Sequence, residues 1–281
     1  MIPLRSVLLL LALLVPLCGA LADAPKFTAQ SQKTQGIVIR LDDFGSADIA
    51  YLSLPDQPPV GGVVLAHDGW GLNWGVSNLA DRLADAGYVV LVPDFFSSQT
   101  TTDPNRAAEL MRDVTPETAM KTVGAAVRFL RESPRFRVPR VAVVGLGAGN
   151  NLALPAADPK AAAKAAGGKD VRLDALVLVG GPFALTEDSL VHIDKRADLL
   201  FFEGNAASAD ARAALDALLK DQKREARIEA LPGGAEPSPD TPLPAASLPV
   251  LDAFLRASFA APEKKGGVSG MIDSMNPFRE K

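Results

Sequence analysis

The stretch Gly62-Val63-Val64-Leu65-Ala66-His67-Asp68-Gly69-Trp70-Gly71-Leu72-Asn73 decides how this chain folds. Its opening five residues form an apolar run entered from Pro58-Pro59. The run is too short for a helix and does not alternate, so it reads as a strand covered on both faces. The glycine-rich loop 67–73 then leads into a helical pattern over Val76–Ala86, where Leu79, Leu83 and Ala86 share one face and Gly87 stops the helix. Tyr88–Val92 is a second buried strand, ended by Pro93. Two such strands joined by a helix make a parallel pair with a crossover.

The same alternation continues outward. Gly36–Leu41 and Asp48–Leu54 read as an opening pair of strands around the turn-forming segment Asp42–Ser46. Pro116–Arg131 is the longest helical pattern, with Thr115 as its cap. Val141–Val144, Leu173–Val179, Leu199–Phe202 and Ala226–Leu231 are four more buried-strand candidates. A helix capped by Ser208 runs through Lys220, and Leu248–Phe259 is the last. The expected fold class is α/β, a mostly parallel sheet of about eight strands flanked by helices. The expected organisation is a signal peptide over 1–22, one domain over 23–261 and a solvated tail over 262–281.

Charge and composition exclude several functions. The chain has 29 Lys+Arg against 33 Asp+Glu, a net charge of −4, and no basic stripe, so nucleic acid is not an expected partner. One cysteine (Cys18) and two histidines (His67 and His192) exclude an intrachain disulfide and a Cys/His zinc site, and no cofactor or metal is expected. Arg5, the apolar run Ser6–Leu17 and the small residues Ala20 and Ala22 match a secretory signal cleaved before Asp23. That places the mature chain in the periplasm or outside the cell, with no transmembrane span. The alternative is a membrane anchor formed by the uncleaved signal.

The loop His67–Asn73, followed by Gly87-Tyr88-Val89-Val90-Leu91-Val92-Pro93-Asp94-Phe95-Phe96, resembles the dienelactone hydrolase family of α/β-hydrolases. The resemblance spans residues 36–260 and implies the α/β-hydrolase fold. It also implies a nucleophile on a strand-to-helix turn, then an acid, then a histidine. Val141–Val144 leads into Gly145-Leu146-Gly147-Ala148-Gly149, which has the glycine spacing of that turn, but Gly147 stands where the family carries Ser or Cys. A glycine has no hydroxyl or thiol with which to attack. The acid position falls on Ala207, in Gly204-Asn205-Ala206-Ala207. The histidine position falls on Glu236, in Pro232-Gly233-Gly234-Ala235-Glu236-Pro237. The resemblance further assigns the backbone at Gly69 and Ala148 to an oxyanion hole. It sets Asp68 on a family glutamate that interacts with the nucleophile, with His67 beside it. Trp70 falls in the pocket, and Phe95 and Phe96 fall on its rim.

The expected function is therefore non-catalytic. The chain reads as an exported binding or accessory protein that uses the old pocket for a small carbonyl- or carboxylate-bearing ligand or for a protein partner. One alternative is an ester or lactone hydrolase with an unorthodox site around His67, Asp68 and Glu236. Another is a structural component of an envelope assembly, with the tail cluster Met271, Ile272, Met275 and Phe278 as its contact element.

Overall fold

Eight strands form one sheet: β1 (Ile37–Arg40), β2 (Ile49–Ser53), β3 (Gly61–Ala66), β4 (Tyr88–Pro93), β5 (Val141–Leu146), β6 (Ala175–Val179), β7 (Asp198–Glu203) and β8 (Arg227–Ala230). The structure is a computed structural model that describes residues 35–181, 187–205 and 209–260. The expected signal peptide, the expected tail, Ala207 and the Ser208 cap lie outside those residues.

The sheet order is β1-β2-β4-β3-β5-β6-β7-β8. Antiparallel pairing occurs between β1 and β2 and between β2 and β4, and every other neighbouring pair is parallel. The fold is thus the mostly parallel, helix-covered sheet expected from the runs of Val, Leu and Ile. Apolar side chains leave both faces of the interior strands, and each face carries its own core. Val64 and Ala66 of β3 join one core with Leu130, Leu152 and Phe201, while Val63 and Leu65 join the other with Leu83, Leu251 and Leu255.

Helices α1 (Trp74–Asp85) and α8 (Leu248–Ala260) cover the second face. The first is covered by α2 (Pro104–Asp113), α3 (Pro116–Glu132), α4 (Asn150–Ala156), α5 (Pro159–Ala165), α6 (Glu187–His192) and α7 (Ala209–Asp221). As expected, Thr115 caps α3 by accepting a hydrogen bond from the Thr118 amide at 3.1 Å. Gly61 and Gly62 open β3 where neighbours press closely. A Cβ on Gly61 would stand 2.4 Å from the Phe259 ring, and one on Gly62 would stand 2.8 Å from Val138.

The helices α2, α5 and α6 were not expected from the sequence. In α2 only Ala107 and Leu110 are buried, so its apolar stripe is too thin to register as a period. His192 ends α6 and is exposed. Among the described residues no helix is long and apolar enough to cross a membrane.

Candidate functional site

Strand β5 runs two residues beyond its expected end, because Gly145 and Leu146 still pair with Leu178 and Val179 of β6. The chain then turns sharply through Gly147–Gly149 into α4. The flanking glycines are required by contact. A Cβ at Gly149 would lie 2.3 Å from the Ala66 carbonyl oxygen, and one at Gly145 would lie 2.6 Å from Asn150 Oδ1. Asn150 fastens the turn to the next strand. Its side-chain amide donates to the Gly180 carbonyl at 2.9 Å, and its Oδ1 accepts from the Val179 amide at 3.3 Å.

Gly147 itself has φ +56°, the left-handed region that glycine tolerates best. The space its side chain would take is filled by Asp68. A Cβ at Gly147 would stand 2.3 Å from Asp68 Oδ2 and 2.7 Å from its Cγ. The other oxygen, Oδ1, accepts hydrogen bonds from the backbone amides of Gly69 at 2.6 Å and Ala148 at 3.0 Å. These are the two amides assigned above to an oxyanion hole, and both are occupied by the protein's own carboxylate. The buried indole N–H of Trp70 lies beside this carboxylate and favours its charged form. Burial pushes the Asp68 carboxyl above the usual carboxylate range, against the pull of the two amides.

His67 is fully buried and serves the loop. Its Nδ1 donates to the Asp68 backbone carbonyl at 2.8 Å, and its Nε2 accepts from the Phe95 amide at 3.2 Å. That network assigns the neutral Nδ1–H tautomer, and desolvation holds the imidazole below its ordinary pKa. Phe95 and Phe96 pack edge-on against the ring, with centroids 5.2 and 4.7 Å away. Both phenylalanines, expected on the pocket rim, are buried beneath the loop, where they cover the apolar edges of His67.

Glu236 is exposed on the loop after β8, and its Oε2 accepts from the Gly181 amide at 2.7 Å. It lies across Gly204, where a Cβ would meet Oε1 at 2.0 Å. A Cβ at Gly181 would be 3.7 Å from the Gly147 carbonyl oxygen, so the Gly180-Gly181 pair joins the Glu236 loop to the turn at Gly147. The structure therefore gathers His67, Asp68, Gly69, Trp70, Gly147, Ala148 and Glu236 at the carboxyl ends of the strands, where open α/β sheets bind ligands. The sequence reading missed Asn150 and the Gly180-Gly181 pair. A double glycine directly after a buried strand was the available signal.

Beside the Asp68 loop a cleft of about 350 Å³ opens between Trp74 and Asn73, the threonines Thr100 and Thr102, and Pro239 and Asp240. Trp74 is exposed there. Among the described residues no cluster of three or more His, Cys, Asp or Glu is placed to hold a metal ion.

The sharp β5–α4 turn with its glycines, and the amides of Gly69 and Ala148 converging on one oxygen, stand where the resemblance sets the nucleophile turn and the oxyanion hole. Residues 49–169 match the dienelactone hydrolase family. That segment holds Asp68, Gly147 and Ala148 and stops short of Glu236. Protein usf of Aquifex pyrophilus is 34% identical over 100 residues, which are 33% of this chain and 43% of that protein. An Aquifex aeolicus protein with a carboxymethylenebutenolidase name is 35% identical over 100 residues, 33% of this chain and 42% of that one. The chain thus spans under half the length of these curated relatives. The solved dienelactone hydrolase of Anabaena variabilis superposes with a TM-score of 0.56 at 18% identity, covering 80% of this chain and 96% of that one. The dienelactone hydrolase-like promiscuous phosphotriesterase P91, from metagenomic libraries, gives 0.58 at 17% identity, covering 79% and 97%. Both structures share the dienelactone hydrolase fold with this chain.

Proposed function

We propose that this protein is an exported, non-catalytic binding or accessory protein built on the dienelactone hydrolase fold. One observation carries the reading: the Asp68 carboxylate fills the space above Gly147 and takes both the Gly69 and Ala148 amides. Acyl transfer needs a nucleophile there and free donors for the developing oxyanion. Here the residue on the turn has no side chain, and the donors are satisfied before any substrate arrives. The glycine at 147, the alanine at 207 and the glutamate at 236 are read together as replacements of nucleophile, acid and base. A ligand then binds in the cleft beside Trp74.

The family match over residues 49–169 favours the second reading, an ester or lactone hydrolase. His67 does not support it, because both ring nitrogens are engaged by backbone groups. The test is hydrolysis of p-nitrophenyl acetate and dihydrocoumarin by purified mature protein. The expected result is no saturable turnover above buffer; saturable turnover abolished by Asp68→Asn overturns the proposal. Mass spectrometry of the exported chain should begin at Asp23.

A further inference from the structure

The cleft beside Trp74 is walled by backbone that the fold holds under strain. Ser97 and Ser98, two consecutive residues other than glycine, have φ of +52° and +67°. The buried Asp94 carboxylate secures that turn by accepting from the Phe96 and Ser98 amides. The turn lays Thr100-Thr101-Thr102 against the loop that carries Trp70. The Thr101 amide donates to the Trp70 carbonyl at 3.3 Å, and a Cβ on Gly71 would stand 2.4 Å from the Gln99 carbonyl oxygen. The side formed by Pro239 and Asp240 is pressed as closely, because a Cβ on Gly75 would meet the Pro239 carbonyl oxygen at 2.0 Å. Strain of this kind persists where the surroundings over-determine it, and it gathers at ligand clamps.

Trp74 lines this cleft and is the only exposed aromatic side chain among the described residues. The hydroxyls of Thr100 and Thr102, the side-chain N–H groups of Asn73 and the Asp240 carboxylate have no hydrogen-bond partner among the described residues. Asn73 Oδ1 is engaged, accepting from the Val76 amide at 3.1 Å.

We propose that the cleft binds a neutral pyranose sugar, with the apolar C–H face of the ring on the Trp74 indole and its hydroxyls held by Thr100, Thr102, Asn73 and Asp240. The inference rests on the reading of the protein as a binding protein that uses this cleft. Charge and hydrogen-bonding capacity make the choice. The lining carries one carboxylate and no Lys, Arg or His, so it works against the carboxylate-bearing ligand expected from the sequence. An organic cation would suit Trp74 and Asp240. It accepts no hydrogen bond, however, and would strand the Asn73 N–H groups and the threonine hydroxyl protons beside it. A sugar hydroxyl both donates and accepts, which matches an amide donor, two hydroxyls and a carboxylate acceptor together. At about 350 Å³ the cleft is at the small end of ligand pockets, a fit for a terminal ring or a disaccharide.

The experiment titrates the purified full chain with methyl β-D-glucopyranoside, methyl β-D-galactopyranoside, methyl α-D-mannopyranoside, N-acetylglucosamine and cellobiose. Binding is read by calorimetry and by acrylamide quenching of tryptophan fluorescence. The expected result is saturable binding of at least one sugar, with a Kd on the order of 1 mM or tighter. That binding shields Trp74 from acrylamide and is the same at low and high salt, as a neutral ligand requires. Trp74→Ala should weaken it about tenfold or more, and Trp74→Phe should recover part of the loss. Trp74 is exposed and both variants keep the Asn73 cap, so neither disturbs the core. Asp240→Asn, which keeps an acceptor oxygen and removes the charge, should leave sugar affinity within about fivefold. Tetramethylammonium and acetate are titrated alongside. Trp74-dependent binding of either, with no sugar bound, overturns the sugar inference and leaves the binding-protein reading standing. Trp74-dependent sugar binding in a protein that also shows saturable ester turnover supports the inference and overturns that reading instead. No Trp74-dependent binding of any sugar in the panel overturns the inference.

Discussion

Placing a side chain at Gly147 tests whether Asp68 truly occupies the site, and the structure gives the size of the effect. Gly147→Ala carries two costs. The backbone at φ +56° disfavours any L side chain by about 1–2 kcal/mol. The new methyl, 2.3 Å from Oδ2, must also drive the carboxylate off two charge-assisted hydrogen bonds. Such bonds are worth about 1.5–3 kcal/mol each when fully desolvated. Asp68 is only partly buried and water can replace some of what is lost, so about 2–3 kcal/mol for the pair is the reasonable figure. Gly147→Ala should therefore destabilise the protein by about 3–5 kcal/mol alone. In an Asp68→Ala background only the backbone cost, about 1–2 kcal/mol, remains. The coupling of about 2–3 kcal/mol is read from urea unfolding of the four proteins of the cycle, provided the m-value is constant. In thermal melts it appears as an excess loss of roughly 4–12 °C in the single variant. Additivity within about 0.5 kcal/mol would falsify the placement of Asp68 over Gly147.

Three further outcomes are expected. Burial raises the folded-state pKa of Asp68, so the native protein holds its proton more tightly than the unfolded chain. Its contribution to stability therefore falls as pH rises from 3.8 through the raised value; Asp68→Asn should remove that branch of the curve, measured by unfolding between pH 4 and pH 8. Because desolvation lowers the folded-state pKa of His67, its contribution is complete above 6.5 and is lost as pH falls through the depressed value. His67→Ala should cost about 2–4 kcal/mol at pH 7 and flatten the acid side; a variant as stable as the parent contradicts the two ring hydrogen bonds. Asn150→Ala should cost about 2 kcal/mol and loosen hydrogen-exchange protection at Val179 in particular, since it leaves that amide and the Gly180 carbonyl without a partner.

Much of the architecture was legible because buried parallel strands leave unbroken apolar runs. All eight strands fall within a residue or two of where those runs place them. Helices with a broad apolar stripe, such as α1 and α3, were equally clear. Pro104–Asp113 was not, because a helix burying only two side chains has almost no period to detect. Its readable mark was the Asp103-Pro104 pair, a cap followed by a proline in the first turn. At the site, each residue's place could be read from the sequence while their relations stayed open. Gly147 reads as a missing nucleophile and Asp68 as a carboxylate on another loop. That one fills the space of the other depends on residues about 80 positions apart. Phe95 and Phe96 were set on a rim by the resemblance; their edge-on packing against the buried His67 ring is a contact no sequence period reports.

The crowded entry to β3 bears on a problem common to sheets covered on both sides. When one face is wet, a slip of one residue throws apolar groups into water and is forbidden outright. Here a slipped β3 would still show valine, leucine and alanine to both cores, so hydrophobicity alone hardly distinguishes right from wrong alignment. Steric fit makes the distinction. Gly61 sits under Phe259 and Gly62 under Val138, with no room for a Cβ at either place. A shift of one residue toward the amino end would press Val63 into the space that Gly62 leaves. The two glycines thus act as a key that admits the strand in one register only. Because β3 carries Asp68 at its end, that same key sets whether the carboxylate arrives over Gly147 at all.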